Sequence, residues 1–186
     1  MTSPQITASH HFALFETAIG TCAIAWSEKG LVGVQLPSAN AKALRARMLR
    51  RHPGAVEAVP TPAVRNAIAA MQALLVGESV DLDNIELDMD GVPDFNRRVY
   101  AVARAVPPGS TITYGAIAKQ LGDPLLARDV GQALGHNPFT IVIPCHRVMA
   151  AGGKFGGFSA YGGVETKRRM LQIEGALPDD QPSLFG

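Results

Sequence analysis

Apolar runs over residues 12–15, 20–26 and 31–36 are separated by short polar breaks. These runs, with Ser27-Glu28-Lys29-Gly30 as a turn before the third, predict two to three antiparallel strands with tight turns. Helical spacing follows. Residues 41–51 read as a short basic helix stopped by Pro53-Gly54, and Thr61-Pro62 opens a second helix that ends at Gly77. Val64, Ile68, Met71 and Leu75 of that second helix are spaced four, three and four apart, which makes a core-facing stripe. Residues 80–87 suggest one more strand.

Beyond Gly91-Val92-Pro93 the pattern is helical. Phe95, Val99, Val102 and Val106 fall on one helical face, and Pro107-Pro108-Gly109 closes it. Thr113 is placed as an N-cap for a short helix over 114–121, with Ile117 and Leu121 inward. After the turn Gly122-Asp123-Pro124, a third helix is expected over 125–135, burying Ala127, Val130 and Leu134. Helix, tight turn and helix outline a helix-turn-helix, although any two packed helices give the same outline. A final capped helix is read over 164–175, with Val164, Met170, Leu171 and Ile173 apolar and Glu174 near its end. The whole predicts an α/β (α+β) protein: an N-terminal lobe over 1–92 with a small antiparallel sheet, a helical lobe over 93–175, and a tail over 176–186.

Composition narrows the class. The chain has 186 residues, 47% apolar and 18% charged, which suits one compact domain or two small lobes and argues against disorder. Two cysteines are too few for a disulfide scaffold or a four-thiolate zinc site, and they fit a reducing, cytoplasmic setting. No apolar run reaches the roughly 18 residues of a membrane helix. Residues 1–12 lack the basic start and apolar run of a secretory signal. The scattered His10, His11, Cys22 and His52 match no metal-ligand spacing, so no metal is expected.

Charge is uneven. Residues 1–95 hold 7 Lys/Arg and 10 Asp/Glu, whereas 96–175 hold 10 and 4. A basic second half favours an anionic partner such as a phosphate backbone, with an ordinary solvated surface as the alternative.

The chemistry concentrates in Ile141-Val142-Ile143-Pro144-Cys145-His146-Arg147-Val148. A β-type apolar run ends at a proline, and a thiol and an imidazole follow. A thiol attacks as its thiolate, which a cationic or basic neighbourhood favours. The plainer reading is a small buried Cys beside a packed His. Cys22, mid-strand, keeps that plainer reading. Residues 150–163 then hold six glycines and three aromatics, a loop whose backbone can approach a flat ligand closely. It contains no phosphate-cradling GxxxxGK[ST] or GxGxxG.

These residues resemble the O6-alkylguanine-DNA alkyltransferases, the methylated-DNA–protein-cysteine methyltransferases. The resemblance covers about residues 95–175 and rests on Thr113-Tyr114-Gly115, Ala127-Arg128-Asp129-Val130-Gly131, Gly135-His136-Asn137-Pro138, Ile143-Pro144-Cys145-His146-Arg147-Val148, the glycine-rich loop and the Lys167…Glu174-Gly175 helix. The N-terminal lobe is similar in style only. The resemblance implies irreversible transfer of an alkyl group from O6-alkylguanine in double-stranded DNA, and in some members from O4-alkylthymine, to the protein's own cysteine. It implies one turnover per molecule, no cofactor and a monomer acting in the cytoplasm. Cys145 is then the alkyl acceptor, His146 takes its proton through a bound water, and Glu174 orients the imidazole. Tyr114 protonates the leaving guanine and Asn137 braces the turn between the DNA helix and the acceptor. Arg128 fills the gap left in the duplex when the damaged nucleotide rotates out, from a helix lying in the minor groove. The small residues Ala127 and Gly131 allow close approach to DNA, with helix packing as their alternative role, and Ser159 lines the guanine pocket. Phe158 stands where many relatives have Tyr, keeping a stacking face without the hydroxyl. Two other functions compete: a helix-turn-helix regulator with a structural Cys-His pair, and a damage-binding protein that does not transfer. The second commonly replaces the acceptor cysteine, which is present here. A low-pKa thiol is expected at Cys145.

Overall fold

A computed structural model describes residues 10–158 and 162–178. In chain order the regular elements are β1 His11–Thr17, β2 Gly20–Trp26, β3 Leu31–Gln35, α1 Ala41–Arg51, β4 Val56–Glu57, α2 Pro62–Leu74, α3 Asp94–Arg104, β5 Ile112–Thr113, α4 Tyr114–Gln120, α5 Ala127–Gly135, β6 Val148–Met149 and α6 Gly163–Ile173. Two short 3-10 turns matter below, Pro124–Leu126 ahead of α5 and Cys145–Arg147 ahead of β6.

β1, β2 and β3 form the expected antiparallel meander, with Phe12 opposite Ala25 and Phe15 opposite Cys22. Alternation sorts their side chains onto two faces. Phe12, Ala23 and Ala25 pack against Leu44 and Met48 of α1. Ala13, Phe15, Cys22, Ile24 and Trp26 pack against Val64, Ala67, Met71 and Leu74 of α2. Both helices begin where their capping residues stand: Asn40 accepts from the Ala43 amide, and Thr61 from the Val64 amide with Pro62 in the first turn.

Residues 80–87 do not form the expected strand. Their carbonyls serve a different donor: Arg104 Nη2 reaches the carbonyls of Leu82, Asp83 and Ile85 at 3.0, 3.2 and 2.7 Å. The segment instead brackets β3 through Leu31 N to Glu86 O and Asp88 N to Leu31 O. The fourth strand of the sheet is β4, paired parallel to β1. Two residues long and exposed, it offers no alternation for a sequence reading to find.

The second half holds a core of its own, built from Val99, Tyr100 and Ala103 of α3, Ile117 and Ala118 of α4, and Val130, Ala133 and Leu134 of α5. The buried face of α3 is therefore rotated from the expected one: Phe95 and Val102 are half-buried, while Tyr100 is buried and donates to Ala133 O at 2.7 Å. In α6, Val164 is exposed and Lys167 takes an inward position. Thr113 caps α4 as expected, accepting from Ala116 N at 3.0 Å.

The two halves share packing. Ile141, Val142 and Met170 join the α2 side of the sheet core. The edge of β3 is covered by the 137–143 turn, through Val34 N to Pro138 O at 2.8 Å and Thr140 Oγ1 to Val34 O at 2.7 Å. The sheet thus anchors the turn that leads to Cys145.

Candidate active site

Residues 141–143 are a turn, where an apolar run suggested strand. Ile143 N closes back on Phe139 O at 2.8 Å, and Ile141 sits at φ +74. A β-branched residue in the left-handed region is strained and stays there only when its surroundings hold it. Asn137 does the holding. Its Nδ2 donates to Ile143 O at 2.9 Å and its Oδ1 accepts from Phe139 N at 2.9 Å, all buried. The turn delivers Pro144 and then Cys145, whose amide donates to Ile143 O at 2.8 Å.

Cys145 is 9% exposed and lines a small pocket whose walls include Tyr114, Gly131, Asn137 and Phe158. Tyr114 is the first residue of α4, and its hydroxyl is pressed by the glycine-rich loop: a Cβ on Gly156 would lie 2.5 Å from Tyr114 Oη. Close backbone approach is thus realised in this loop, but toward Tyr114. A Cβ on Gly131 would meet the Tyr114 ring at 3.9 Å, an ordinary contact, so packing within the protein does not require glycine there.

Beneath Cys145 lies a buried ion network. Glu174, the C-cap of α6, accepts from His146 Nε2 at 2.8 Å and from Arg147 Nη2 at 2.7 Å on Oε1, and from Arg147 Nε at 2.9 Å on Oε2. Arg147 also donates to Val106 O at 2.7 Å. The forked pairing holds Glu174 ionised at a pKa of about 2, Arg147 and His146 outweighing the cost of burial. An ionised carboxylate only accepts, so Nε2 carries the imidazole proton and Nδ1 presents its lone pair. Nδ1 is buried without a protein partner among the described residues. Burial pushes the His146 pKa down against the pull of Glu174, leaving the ring neutral.

The expected low-pKa thiol is not found. Burial raises the Cys145 pKa, and the Asn137 side chain, the Lys167 charge and nearby backbone amides offset this only in part. Cys145 rests as a thiol. Cys22, pushed up to about 12 by burial, also rests as a thiol.

Two residues the sequence reading assigned no such role complete the site. Arg147 stood in the sequence only as part of the motif after Cys145-His146, yet it is the main partner of Glu174. Lys167 is fully buried, donates from Nζ to Val148 O at 2.6 Å, and lies 5.9 Å from both the Tyr114 and Phe158 rings. No carboxylate pairs with it among the described residues, and burial lowers its pKa while Cys145 raises it. A charged residue at an inward helical position was the available signal for it.

His146, next to Cys145 in the chain, pairs with Glu174 in the buried interior, while the structure places Cys145, Tyr114 and Asn137 on one cavity. α5 stands beside it, with Ala127 and Gly131 half-buried and Arg128 exposed in the first turn. Ser159 lies outside the described residues. Among the described residues no group of three or more His, Cys, Asp or Glu could hold a metal, and no helix is long and apolar enough to cross a membrane.

Comparison with known proteins places this arrangement. Residues 94–176 match the family described as 6-O-methylguanine DNA methyltransferase, DNA binding domain. The methylated-DNA–protein-cysteine methyltransferase of Mycobacterium tuberculosis is 40% identical over 142 residues, covering 75% of this chain and 84% of the relative. That of Methanosarcina acetivorans is 33% identical over 172 residues, 89% of this chain and 99% of the relative. The solved M. tuberculosis O6-methylguanine methyltransferase superposes with a TM-score of 0.73 at 31% identity, covering 95% and 99% of the two chains. The M. tuberculosis OGT protein in complex with DNA gives 0.70 at 30% identity, over 89% and 93%. The chain belongs to the methylated-DNA–protein-cysteine methyltransferase family.

Proposed function

We propose that the protein repairs double-stranded DNA by moving the alkyl group from O6 of alkylguanine to Cys145 Sγ, once per molecule. The observation that carries this is a single thiol at the floor of a pocket walled by Tyr114 and Gly131 of the helix-turn-helix, with a neutral His146 and an ionised Glu174 beneath it.

The O6 methyl lies inside the duplex, so the nucleotide rotates out to meet Cys145. Arg128, exposed in the first turn of α5, fills the space left in the stack. The absence of a side chain at Gly131 lets DNA come close. His146 Nδ1 takes the thiol proton through solvent, and Glu174, locked by Arg147, holds the ring for it. The S–C bond forms as the O6–C bond breaks, and guanine leaves as an anion that Tyr114 neutralises by donating a proton. Tyr114 recovers its proton through solvent from the His146 imidazolium, so overall one proton passes from thiol to guanine, and the products are a thioether and an unmodified base. A thioether is a stable product that no group among the described residues of the site reverses, so turnover stops at one.

We assign these roles to residues 93–175, with residues 1–92 anchoring the acceptor turn through β3. The protein is proposed to act in the cytoplasm, where two unpaired thiols persist. Incubation with a duplex containing one O6-methylguanine tests the reading by intact-protein mass. It expects a gain of one methyl group per chain, halting at a 1:1 ratio; an unchanged mass overturns it.

A further inference from the structure

α1 is out of character with its half of the molecule. Residues 1–95 carry more acids than bases, yet five of their seven cations, Lys42, Arg45, Arg47, Arg50 and Arg51, fall within α1. Arg45 pairs with Glu57, whereas Arg47, Arg50 and Arg51 have no carboxylate partner among the described residues. Four residues apart, Arg47 and Arg51 share one face of the helix. That face lines the cavity that ends at Cys145, across from Gly131 and Gly135 of α5 and beside Tyr114.

The placement is fixed. Leu44 and Met48 are buried against the sheet, and the ring of His52, the C-cap, covers Gly33 of β3 so closely that a Cβ there would lie 2.6 Å from His52 Nε2. A helix C-terminus attracts cations, which accounts for Arg50 and Arg51 in the last turn but not for Arg47 a turn earlier. Arg47 is half-buried, and desolvation together with the neighbouring Arg51 and Arg50 disfavours its charge. Unrelieved repulsion of this kind at a pocket mouth calls for an anion. Given alkyl transfer from an extruded nucleotide, the anion that comes to this mouth is the phosphodiester on which the nucleotide swings.

We propose that Arg47 and Arg51 form a two-guanidinium clamp, supplied by the N-terminal lobe, for a phosphate flanking the alkylguanine nucleotide held at Cys145. The clamp rests on the alkyl-transfer reading. It gives the N-terminal lobe a direct part in substrate binding, and it favours a nucleotide over a bare base before any contact with the rest of the duplex.

Single-turnover rates test it on three substrates: O6-benzylguanine, O6-benzyl-deoxyguanosine carrying both 3′- and 5′-phosphates, and a duplex with one O6-methylguanine. The unmodified chain is expected to prefer the phosphorylated nucleoside over the free base. In Arg47→Gln/Arg51→Gln that rate ratio, and the duplex-to-base ratio, each fall about tenfold or more, since removing charge-assisted hydrogen bonds costs about 1.5–3 kcal/mol. Arg47→Lys/Arg51→Lys keeps part of both ratios, and Arg45→Gln keeps them whole. Unchanged ratios in the double Gln variant, or a uniform loss on all three substrates, would overturn the clamp. No transfer from any substrate by the unmodified chain would overturn the alkyl-transfer reading itself, and the clamp with it.

Discussion

At the scale of single residues, the site is governed by how burial is offset. Glu174 is almost fully buried yet ionised, because Arg147 forks onto it and His146 adds a third bond. Its folded pKa of about 2 lies below the ordinary 4.5, so the stability it contributes is present above about pH 4.5 and is lost as the pH falls toward 2. That shift corresponds to roughly 3 kcal/mol. Glu174→Gln is expected to flatten the acid limb of the stability–pH curve in denaturant titrations. It also leaves Arg147 buried without its anion, at a cost of about 3–5 kcal/mol. An unaltered acid limb would show that the carboxylate is not the linked group. The Lys167 charge favours the thiolate of Cys145. A nearby cation lowers a thiol pKa by about one to three units, so Lys167→Met is expected to slow transfer about tenfold or more at neutral pH. As the pH rises the thiol ionises without help and Lys167 itself loses its proton, so the gap between variant and unmodified chain narrows. Equal slowing at every pH in a benzylguanine pH–rate profile would confine Lys167 to bracing Val148.

At the scale of elements, the helices and the meander were legible because each bears its own local signal. Asn40, Thr61 and Thr113 cap where a short polar residue precedes an apolar period. What escaped was set by partners distant in sequence. Residues 80–87 look like a strand, but their carbonyls are taken by Arg104, and the apolar run 141–143 is bent by Asn137. Periodicity cannot show either. Within the site, motif order singled out Cys145, His146 and Glu174, and the structure pairs the last two, whereas the grip of Arg147 on Glu174 and the burial of Lys167 required α6 to be docked. Asn137→Ala leaves the buried Phe139 amide without its acceptor, at about 1–3 kcal/mol, and takes one of two donors from Ile143 O. With Ile141 no longer restrained at positive φ, the melting temperature and the transfer rate are expected to fall together. Loss of rate with an unchanged melting temperature would mean that Asn137 acts on the thiol alone.

At the scale of the whole molecule, one half supplies the pocket and its helix-turn-helix, and the other buttresses the acceptor turn through β3 and sets α1 at the pocket mouth. Binding to the duplex and chemistry on the base are therefore separable. Arg128→Ala is expected to lower the ratio of duplex repair to free-benzylguanine reaction about tenfold or more, because holding an unstacked duplex open is worth a few kcal/mol while a free base has no stack to replace. A ratio that stays constant would remove Arg128 from the extrusion step. The central claim is that Cys145 is the atom to which the alkyl group moves. The most direct measurement is peptide mapping by mass after reaction with an O6-methylguanine duplex, for the unmodified chain and for Cys145→Ala. The account predicts a methyl group on the Cys145 peptide alone, and none anywhere in the variant, which still binds the duplex. A methyl group on Cys22, or transfer surviving in Cys145→Ala, would contradict it.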